Sequence, residues 1–204
     1  MSPLPTRMAD RWGRRRSQGR IYWHVLLGDD PHARAVAQDA RDRLEGVPGL
    51  DPVPPAFLHL TTFVAGSADE ITGDQVGVMA QEAAGQLARV EPFTVTLGRV
   101  LYDPEEVALE ARPAERLRPL MEAAKFATRA ATGRDGYLPH GSWTPHVAVA
   151  YSNADGPAAP VIEALGERLP DREVTIRSIH IVEQDDATAT WRWRPMAEVR
   201  LGAS

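Results

Sequence analysis

At two points of this sequence, strand-like segments follow one another with no helical segment between them. One such pair flanks the turn Asp103-Pro104, and the other closes the chain. Parallel neighbours need a long crossover connection, whereas a short turn can join antiparallel ones. The predicted order β-α-β-α-β-β-α-β-α-β-β therefore favours an α+β fold with antiparallel sheets over a doubly wound parallel sheet. The predicted strands are 21–27, 57–65, 93–101, 107–111, 146–150, 174–182 and 191–201.

Four helical segments separate the other strands. Asp30 and Pro31 indicate a helix start, because aspartate caps the first backbone N–H groups and proline fits the first helical position. A fourth, short helix is predicted over 157–169. The first three helices are predicted from apolar residues at helical spacing, which are Ala33, Val36, Ala37, Ala40 and Leu44, then Val76, Met79, Ala80, Ala83, Leu87 and Val90, then Leu117, Leu120, Met121, Ala124 and Thr128.

The composition bounds the chemistry. The chain has 204 residues, which fits one domain or two small lobes that share a core. It has no cysteine, which excludes disulfides, thiol nucleophiles, zinc–thiolate sites and iron–sulfur clusters. No apolar run is long enough for a membrane span and no apolar segment follows the basic N-terminus, so we expect a cytoplasmic protein without a secretory signal.

The charge is unevenly distributed. The net charge is −5, yet residues 1–20 contain six arginines and one acid, Asp10. A basic arm on an acidic body is typical of a polyanion contact, and the alternative is a solvated tail. The segment has no hydrophobic periodicity, so we predict a poorly ordered tail over 1–20 and a single domain over 21–204. The one lysine among many arginines is typical of a GC-rich genome.

A histidine stands near the start of two predicted strands, in FLHLTTF around His59 and in TPHVAVAY around His146. Residues two apart on a strand share a face, so His59 projects with Thr61, and His146 with Ala148. Two imidazoles in one cleft would supply an acid and a base for a reaction at phosphorus, and the Thr61 hydroxyl would contact a phosphoryl oxygen. The alternative is a pair of hydrogen-bonded structural histidines.

These segments resemble the motifs of the two-histidine phosphoesterase superfamily, which includes 2′-5′ RNA ligase-like proteins and RNA 2′,3′-cyclic phosphodiesterases. Its members carry two His-x-Thr/Ser motifs, and a proline before the second histidine, here Pro145, is typical. The resemblance covers about residues 21–201. It implies a bilobal, pseudo-symmetric fold with two antiparallel sheets facing a central cleft and helices outside. It also implies catalytic roles for His59 and His146, with cyclic phosphodiester hydrolysis or 2′-5′ ligation as the reaction.

The second motif departs from the pattern at Ala148, where the superfamily has Thr or Ser. Thr144, two residues before His146, is the candidate replacement for the missing hydroxyl. The leading hypothesis is a metal-independent 2′,3′-cyclic phosphodiesterase, with His146 as the base toward water and His59 as the acid. Because of Ala148, a catalytically weakened nucleotide- or RNA-binding module is the alternative, and a small-molecule esterase is a third.

Several other residues are candidates for the cleft. Tyr22 is expected to contact substrate, and His24 is interpreted as structural or cleft-lining, on the opposite strand face from Tyr22. The 13-residue loop 133–145 is long enough to suggest function, and its His140 and Trp143 are candidates for stacking on a nucleotide or for anchoring the loop.

The remaining histidines and aromatic residues are assigned structural roles. Tyr151 falls on the face opposite His146 and is expected in the core. The WRWR run at 191–194 is interpreted as a strand with one core side and one solvent side, with an aromatic-basic nucleic-acid face as the alternative. His32 and His180 are expected at the surface.

No cofactor is predicted. Metal ligation would need three or more converging ligands, and no spacing typical of a metal site occurs, so no metal is expected. The expected partner is a nucleotide or RNA end that carries a cyclic phosphate, and the expected state is a monomer without membrane contact. An acidic body favours a terminal phosphate over a long nucleic acid, because binding long polyanions takes many basic contacts.

Overall fold

The computed structural model describes residues 4–14, 19–138, 143–184 and 193–202. Helices and antiparallel strands fill this part of the chain, so the predicted α+β class is confirmed. The helices are α1 (Pro31–Arg43), α2 (Gly73–Leu87), α3 (Ala114–Thr132) and α4 (Ala159–Leu165). The strands are β1 (Arg7–Met8), β2 (Arg20–Leu26), β3 (Leu50–Pro52), β4 (His59–Ser67), β5 (Phe93–Asp103), β6 (Glu106–Glu110), β7 (His146–Ser152), β8 (Gly156–Pro157), β9 (Arg168–Ile176), β10 (Ser178–Gln184) and β11 (Trp193–Arg200).

The strands form one large antiparallel sheet and one small pair. The large sheet has nine strands in the order β11-β10-β2-β4-β7-β6-β5-β9, with β3 beside β7, and β1 pairs with β8. Within the described residues, no helix has the length and apolar character that crossing a membrane requires.

The large sheet consists of two halves that meet at a single residue pair. β4 and β7 are in register only where Leu60 faces Val147. Leu60 follows His59 directly, and Val147 follows His146. The bilobal arrangement that the resemblance implies is therefore present, with the two antiparallel sheets continuous through this one pair and a histidine beside it on each strand.

Side-chain caps define the starts of α1 and α2, and a buried hydrogen bond attaches α3 to the first half of the sheet. The Asp30 carboxylate accepts hydrogen bonds from two backbone N–H groups in the first turn of α1, as predicted. Thr72 and Gln75 form a reciprocal capping box at the start of α2. Trp23 of β2 donates from Nε1 to Thr128 Oγ1 of α3 across 3.1 Å, in a position that excludes solvent. This bond orients β2, and with it the neighbouring strand β4.

The predicted strand 174–182 is two strands in the structure, and this prediction is wrong. β9 pairs with β5 in the second half of the sheet, while β10 pairs with β2 and β11 in the first half. The buried positions change phase between Ile176 and Ile179, which is the sequence signal of the break. The helix predicted over 157–169 ends at Leu165, because Gly166 takes a positive φ of 67° and turns the chain into β9.

Residues 4–14, here called the N-terminal segment, pack against the domain although a poorly ordered tail was expected over 1–20. β1 pairs with β8, and the Ala9 N–H donates to the Pro104 carbonyl at 2.7 Å. Met8 is 5% exposed and belongs to the hydrophobic core. The segment shows no periodicity because it is attached through short pairings and single hydrogen bonds. In the structure, this part of the basic arm belongs to the body of the domain.

The start of the long loop 133–145 is anchored on β4. Gly136 has a positive φ of 56°, and a Cβ there would lie 2.4 Å from the Phe63 ring. The next residue, Tyr137, exchanges two backbone hydrogen bonds of 3.0 Å with Val64. The loop therefore leaves α3 along the strand that carries His59. Residues 139–142 of the loop, including the candidate His140, lie outside the described part of the chain.

Candidate active site

His59 is held by the chain that precedes it. The ring lies at the start of β4, and its Nδ1 is 2.9 Å from the carbonyl oxygen of Phe57. A carbonyl only accepts hydrogen bonds, so Nδ1 carries the proton and donates it. This contact leaves Nε2 as the nitrogen that can accept a proton from a substrate or water.

Aromatic rings surround the His59 imidazole. The centroid of the His24 ring lies 4.3 Å away and that of the Trp193 ring 4.6 Å away. The residue is only 9% exposed. Burial lowers the pKa of His59 to about 4; the Phe57 hydrogen bond and the charge of Glu106 act against this shift without cancelling it. His59 is therefore a neutral imidazole at physiological pH.

His146 has the same backbone contact but a different environment. Its Nδ1 donates to the Thr144 carbonyl at 2.7 Å, and its Nε2 lies 3.0 Å from Oε1 of Glu106. Burial acts to lower the pKa of His146, but the hydrogen bond and the negative charge of Glu106 outweigh it, so the pKa is raised. His146 is therefore the imidazole that favours the protonated state.

The two imidazoles belong to one electrostatic site. They stand beside the Leu60–Val147 pair that joins the sheet halves. The charge of His146 lowers the pKa of His59, and the charge of Glu106 raises the pKa of both histidines. The register and the electrostatics therefore bring the two histidines into one neighbourhood, and a shared substrate cleft stays a prediction.

Each motif strand has an extra residue three positions after its histidine, and β4 has a second one at Ala65. In β4 the pairing with β2 passes from Thr61 to Phe63 and skips Thr62. In β7 the pairing with β6 passes from Ala148 to Ala150 and skips Val149. Such bulges shift the alternation of side chains that follow them by one residue. The bulge therefore belongs to the repeated motif.

The bulge in β7 returns Tyr151 to the face of His146. Tyr151 stands opposite Glu106, and Ala148 stands opposite Ala108 two residues along the same strand. Residues two apart share a face, so Tyr151 and Ala148 lie on one side of the sheet. Tyr151 is 3% exposed, as expected of a core residue. Its assignment to the opposite face is wrong, because unbroken alternation was assumed.

Thr61 and Trp143, two of the predicted substrate contacts, touch one another. Thr61 faces His24 across the strands and is half-buried. Its backbone carbonyl accepts a 3.3 Å hydrogen bond from Nε1 of Trp143. The Trp143 side chain therefore connects the end of the long loop to the first motif.

Thr144 contributes its backbone rather than its hydroxyl to the contacts seen in the structure. Its carbonyl orients His146, and the residue is exposed. Ala148 is 5% exposed and faces Ala108. The two alanine side chains lie on the same face as His146 and Glu106. A replacement for the missing hydroxyl is not evident at Thr144.

Tyr22 and His24 share one face of β2, contrary to the expectation that they would lie on opposite faces. Their rings stack with centroids 5.1 Å apart, which follows from their spacing of two residues. His24 is fully buried against His59, and burial places its pKa well below the ordinary value. His180 of β10 pairs with His24 of β2 and is half-buried, so its assignment to the surface is wrong. His32 is exposed, as expected.

Three further residues at the site were not assigned to it from the sequence. Glu106 is 7% exposed and binds His146 through one carboxylate oxygen and Arg11 through the other, at 3.2 Å. Trp193 covers His59, although the WRWR run was interpreted as an ordinary strand. Trp191 and Arg192 of that run lie outside the described residues. The WRWR run is the sequence feature that could have indicated Trp193 as a site residue. No sequence feature indicates Glu106.

Among residues 4–14, 19–138, 143–184 and 193–202, no group of three or more His, Asp or Glu side chains is arranged to hold a metal ion. The chemistry that the site can perform with its own side chains is proton transfer between a neutral imidazole, a protonated imidazole and a bound oxyanion.

Comparison with known families gives one match. A sequence profile described as the 2′-5′ RNA ligase superfamily matches residues 28–188, well over half of the chain. Among curated proteins, no significant match was found. The matched range includes both histidine motifs and Glu106, and it begins after the N-terminal segment.

Solved structures with the same fold support this match. A protein of Thermus thermophilus is 20% identical with a TM-score of 0.63, over 90% of this chain and 98% of that one. Escherichia coli LigT in complex with 3′-AMP is 18% identical with a TM-score of 0.61, over 91% and 99%. A conserved protein of unknown function from Agrobacterium tumefaciens is 12% identical with a TM-score of 0.56, over 88% and 85%. At these identities the likeness concerns the fold.

Proposed function

The chain belongs to the 2′-5′ RNA ligase superfamily, and we propose that it hydrolyses the 2′,3′-cyclic phosphate of a nucleotide or RNA end. The observation that carries this proposal is the unequal protonation of the two imidazoles that stand beside the Leu60–Val147 pair. His59 has a pKa lowered to about 4 by burial, while Glu106 raises the pKa of His146. A base that is neutral and an acid that is protonated at the same pH are what phosphodiester hydrolysis requires.

In the proposed mechanism, His59 is the base and His146 the acid, the reverse of the order expected from the sequence. Nε2 of His59 takes a proton from water as the water oxygen bonds to phosphorus. Nε2–H of His146 gives its proton to the ribose oxygen as the phosphorus–oxygen bond breaks, which leaves a phosphomonoester. In the structure Nε2 lies 3.0 Å from Oε1 of Glu106, which accepts this N–H, so in the reaction the leaving oxygen takes the place of the carboxylate as acceptor. In ligation, the same groups exchange roles.

The Thr61 hydroxyl is the proposed donor to a non-bridging phosphoryl oxygen from the first motif. Both proton transfers are assigned to imidazoles, so we propose a reaction that needs no metal. Trp143, Tyr22 and His140 are the proposed contacts of the nucleoside. Of these, Trp143 lies against Thr61 and Tyr22 stacks on His24.

Nucleotide binding by a structural neighbour supports the proposed partner. Escherichia coli LigT has been solved with 3′-AMP, with ATP, with NADP+ and with phosphate. A nucleotide or RNA end is therefore the proposed substrate class for this chain. The monomeric state and the cytoplasmic location stay predictions from the sequence.

The test is hydrolysis of adenosine 2′,3′-cyclic monophosphate in excess EDTA. Wild type should turn over, and His59→Ala and His146→Ala should each lose about 100-fold or more in kcat, the usual contribution of a general acid or base. His32→Ala, at an exposed histidine on α1, is the matched control and should keep full activity. Inactivation by EDTA, or full activity in either variant of the pair, would refute the mechanism.

A second candidate function is a nucleotide-binding module with little turnover, which Ala148 favours. This residue leaves the second motif without a hydroxyl for the phosphoryl group. Two measurements distinguish these functions, the turnover of cyclic nucleotides and the affinity for 3′-AMP. Measurable affinity without turnover in wild type and in Ala148→Thr would favour the binding module.

A further inference from the structure

Arg11 lies at the candidate active site although it comes from the segment that was expected to be a tail. We propose that its guanidinium is a ligand of the substrate phosphate, in the role for which the second motif lacks a hydroxyl. This inference rests on the proposed function, since it assigns a further residue to the same site. It makes the N-terminal segment a part of the active site.

The backbone around Arg11 is fixed by contacts with three parts of the domain. The Arg11 N–H donates to the Ser152 carbonyl at the end of β7, at 3.0 Å. The Trp12 indole N–H donates to the Asp51 carboxylate of β3 at 2.8 Å. The Asp10 N–H donates to the Asp155 carboxylate at 2.9 Å. These contacts set the point from which the Arg11 side chain starts.

The side chain extends over the face of β7 that carries the second motif. Its guanidinium carbon lies 4.3 Å from the centroid of the Tyr151 ring, a cation–π contact. Nη1 lies 3.2 Å from Glu106 and 3.8 Å from Glu105. The Arg11 side chain is 30% exposed. A guanidinium has five N–H donors, so ion pairs through Nη1 do not exhaust its capacity to bind a phosphate.

One carboxylate connects Arg11 to the acid of the proposed mechanism. Glu106 binds His146 through Oε1 and Arg11 through Oε2, so the two cationic groups lie on either side of the same side chain. The positive charge of Arg11 also acts to lower the pKa of both histidines, as expected of a cation near each ring. Because both groups contact Glu106, we expect a phosphate that contacts His146 to lie near the guanidinium as well.

The charges around the second motif suit a phosphodiester. Protonated His146 and Arg11 carry two positive charges, and Glu106 carries one negative charge. Glu105 is more exposed, at 37%, and farther from Arg11, so water screens its charge. The cluster can thus accept the single negative charge of a phosphodiester. Arginine binds phosphate through parallel N–H donors, which compensates for the hydroxyl that Ala148 lacks.

The experiment compares Arg11→Gln with Arg7→Gln. Both arginines lie in the N-terminal segment, but Arg7 is exposed in β1. We expect Arg11→Gln to lower kcat/KM for adenosine 2′,3′-cyclic monophosphate by about 10- to 100-fold, as for loss of a charge-assisted hydrogen bond. The Kd for 3′-AMP, measured by calorimetry, should rise at least about tenfold. Arg7→Gln should match wild type in both.

Arg11→Lys is a second variant, which keeps the test decisive if Arg11→Gln fails to fold. Lysine keeps the charge but not the planar donor group, so kcat/KM and Kd should fall between those of wild type and Arg11→Gln. An unchanged Kd in both Arg11 variants would overturn the ligand role, even if the pH profile moved, because Arg11 would then act only through Glu106. If wild type shows no turnover, the proposed function fails, and the Kd values for 3′-AMP still decide the role of Arg11.

Discussion

The two histidine strands are alike in backbone and unlike in surroundings. On both strands, Nδ1 donates to the carbonyl two residues earlier, and the strand pairing skips the third residue after the histidine. Around His59, the neighbours are the rings of His24 and Trp193. Around His146, they are the charged side chains of Glu106 and, beyond it, Arg11.

The orientation of the two imidazoles and their protonation states are therefore set by different parts of the structure. The repeated backbone contacts aim each Nε2 in the same manner, whereas the neighbouring side chains decide which imidazole holds a proton. Aromatic packing removes water and favours the neutral ring, and a carboxylate favours the charged one. A duplicated motif can therefore supply both halves of an acid–base pair without any change in the histidines themselves.

Glu106→Gln would remove the feature that distinguishes the second strand, and it has the largest expected effect of the variants below. In wild type, activity is lost as the pH rises through the raised pKa of His146, because the acid must be protonated. Without the carboxylate, burial lowers this pKa, so the alkaline limb of the kcat/KM profile should move to lower pH. At pH 8 we expect a loss of about 100-fold. Glu122→Gln, at an exposed position on α3, is the control, and an unmoved alkaline limb would contradict the assignment.

Exchanging the residues two positions after the histidines tests the next difference. Thr61→Ala gives the first motif the residue of the second and should cost about tenfold in kcat/KM, and Ala148→Thr should gain up to the same factor. Thr62→Ala is the control, because its buried hydroxyl donates to the Trp23 carbonyl at 2.9 Å. That change should lower Tm and leave kcat unaffected. Equal activity of wild type and Thr61→Ala would remove Thr61 from the mechanism.

Trp193→Ala would reduce the aromatic cover of the first strand and has the smallest effect at neutral pH. The base must be neutral, so activity is lost as the pH falls through the pKa of His59, which is about 4. With water at the ring, burial opposes the charged form less, and the acid limb of the profile should move up toward the ordinary histidine value. At pH 7 we expect a change of only a few-fold. Phe126→Ala, an exposed aromatic on α3, is the control; an unmoved acid limb in Trp193→Ala would show that this cover does not set the pKa.

Local patterns were sufficient to predict most of the fold. The Asp30 cap, the apolar faces of the helices and the β-rich runs all correspond to elements of the structure, because each depends on neighbouring residues. The N-terminal segment was missed because two-residue pairing leaves no periodic pattern. The break between β9 and β10 was missed because apolar residues recur on both sides of Arg177 and Ser178, which hid the change of phase.

The candidate site was only partly predictable, because some of its residues are indicated by local motifs and others are not. The motifs indicate the two histidines, which repeat in a recognisable context, and Thr61, which stands two residues after the first. Glu106 and Arg11 reach His146 from distant parts of the chain, and only the tertiary fold determines which charge meets which imidazole. The face of Tyr151 depends on a bulge, which strict alternation cannot anticipate.

The pair Leu60–Val147 has a mechanical consequence. Both side chains are buried, and they form the only registered contact between the motif strands in the described part of the chain. Each histidine is one residue from this pivot, a distance of about 3.3 Å along a strand. If one half rotated about the pair, the outer strands would swing through a wide arc and the imidazoles through a short one. Rotation about this pair would therefore change the spacing of the two imidazoles much less than that of the outer strands.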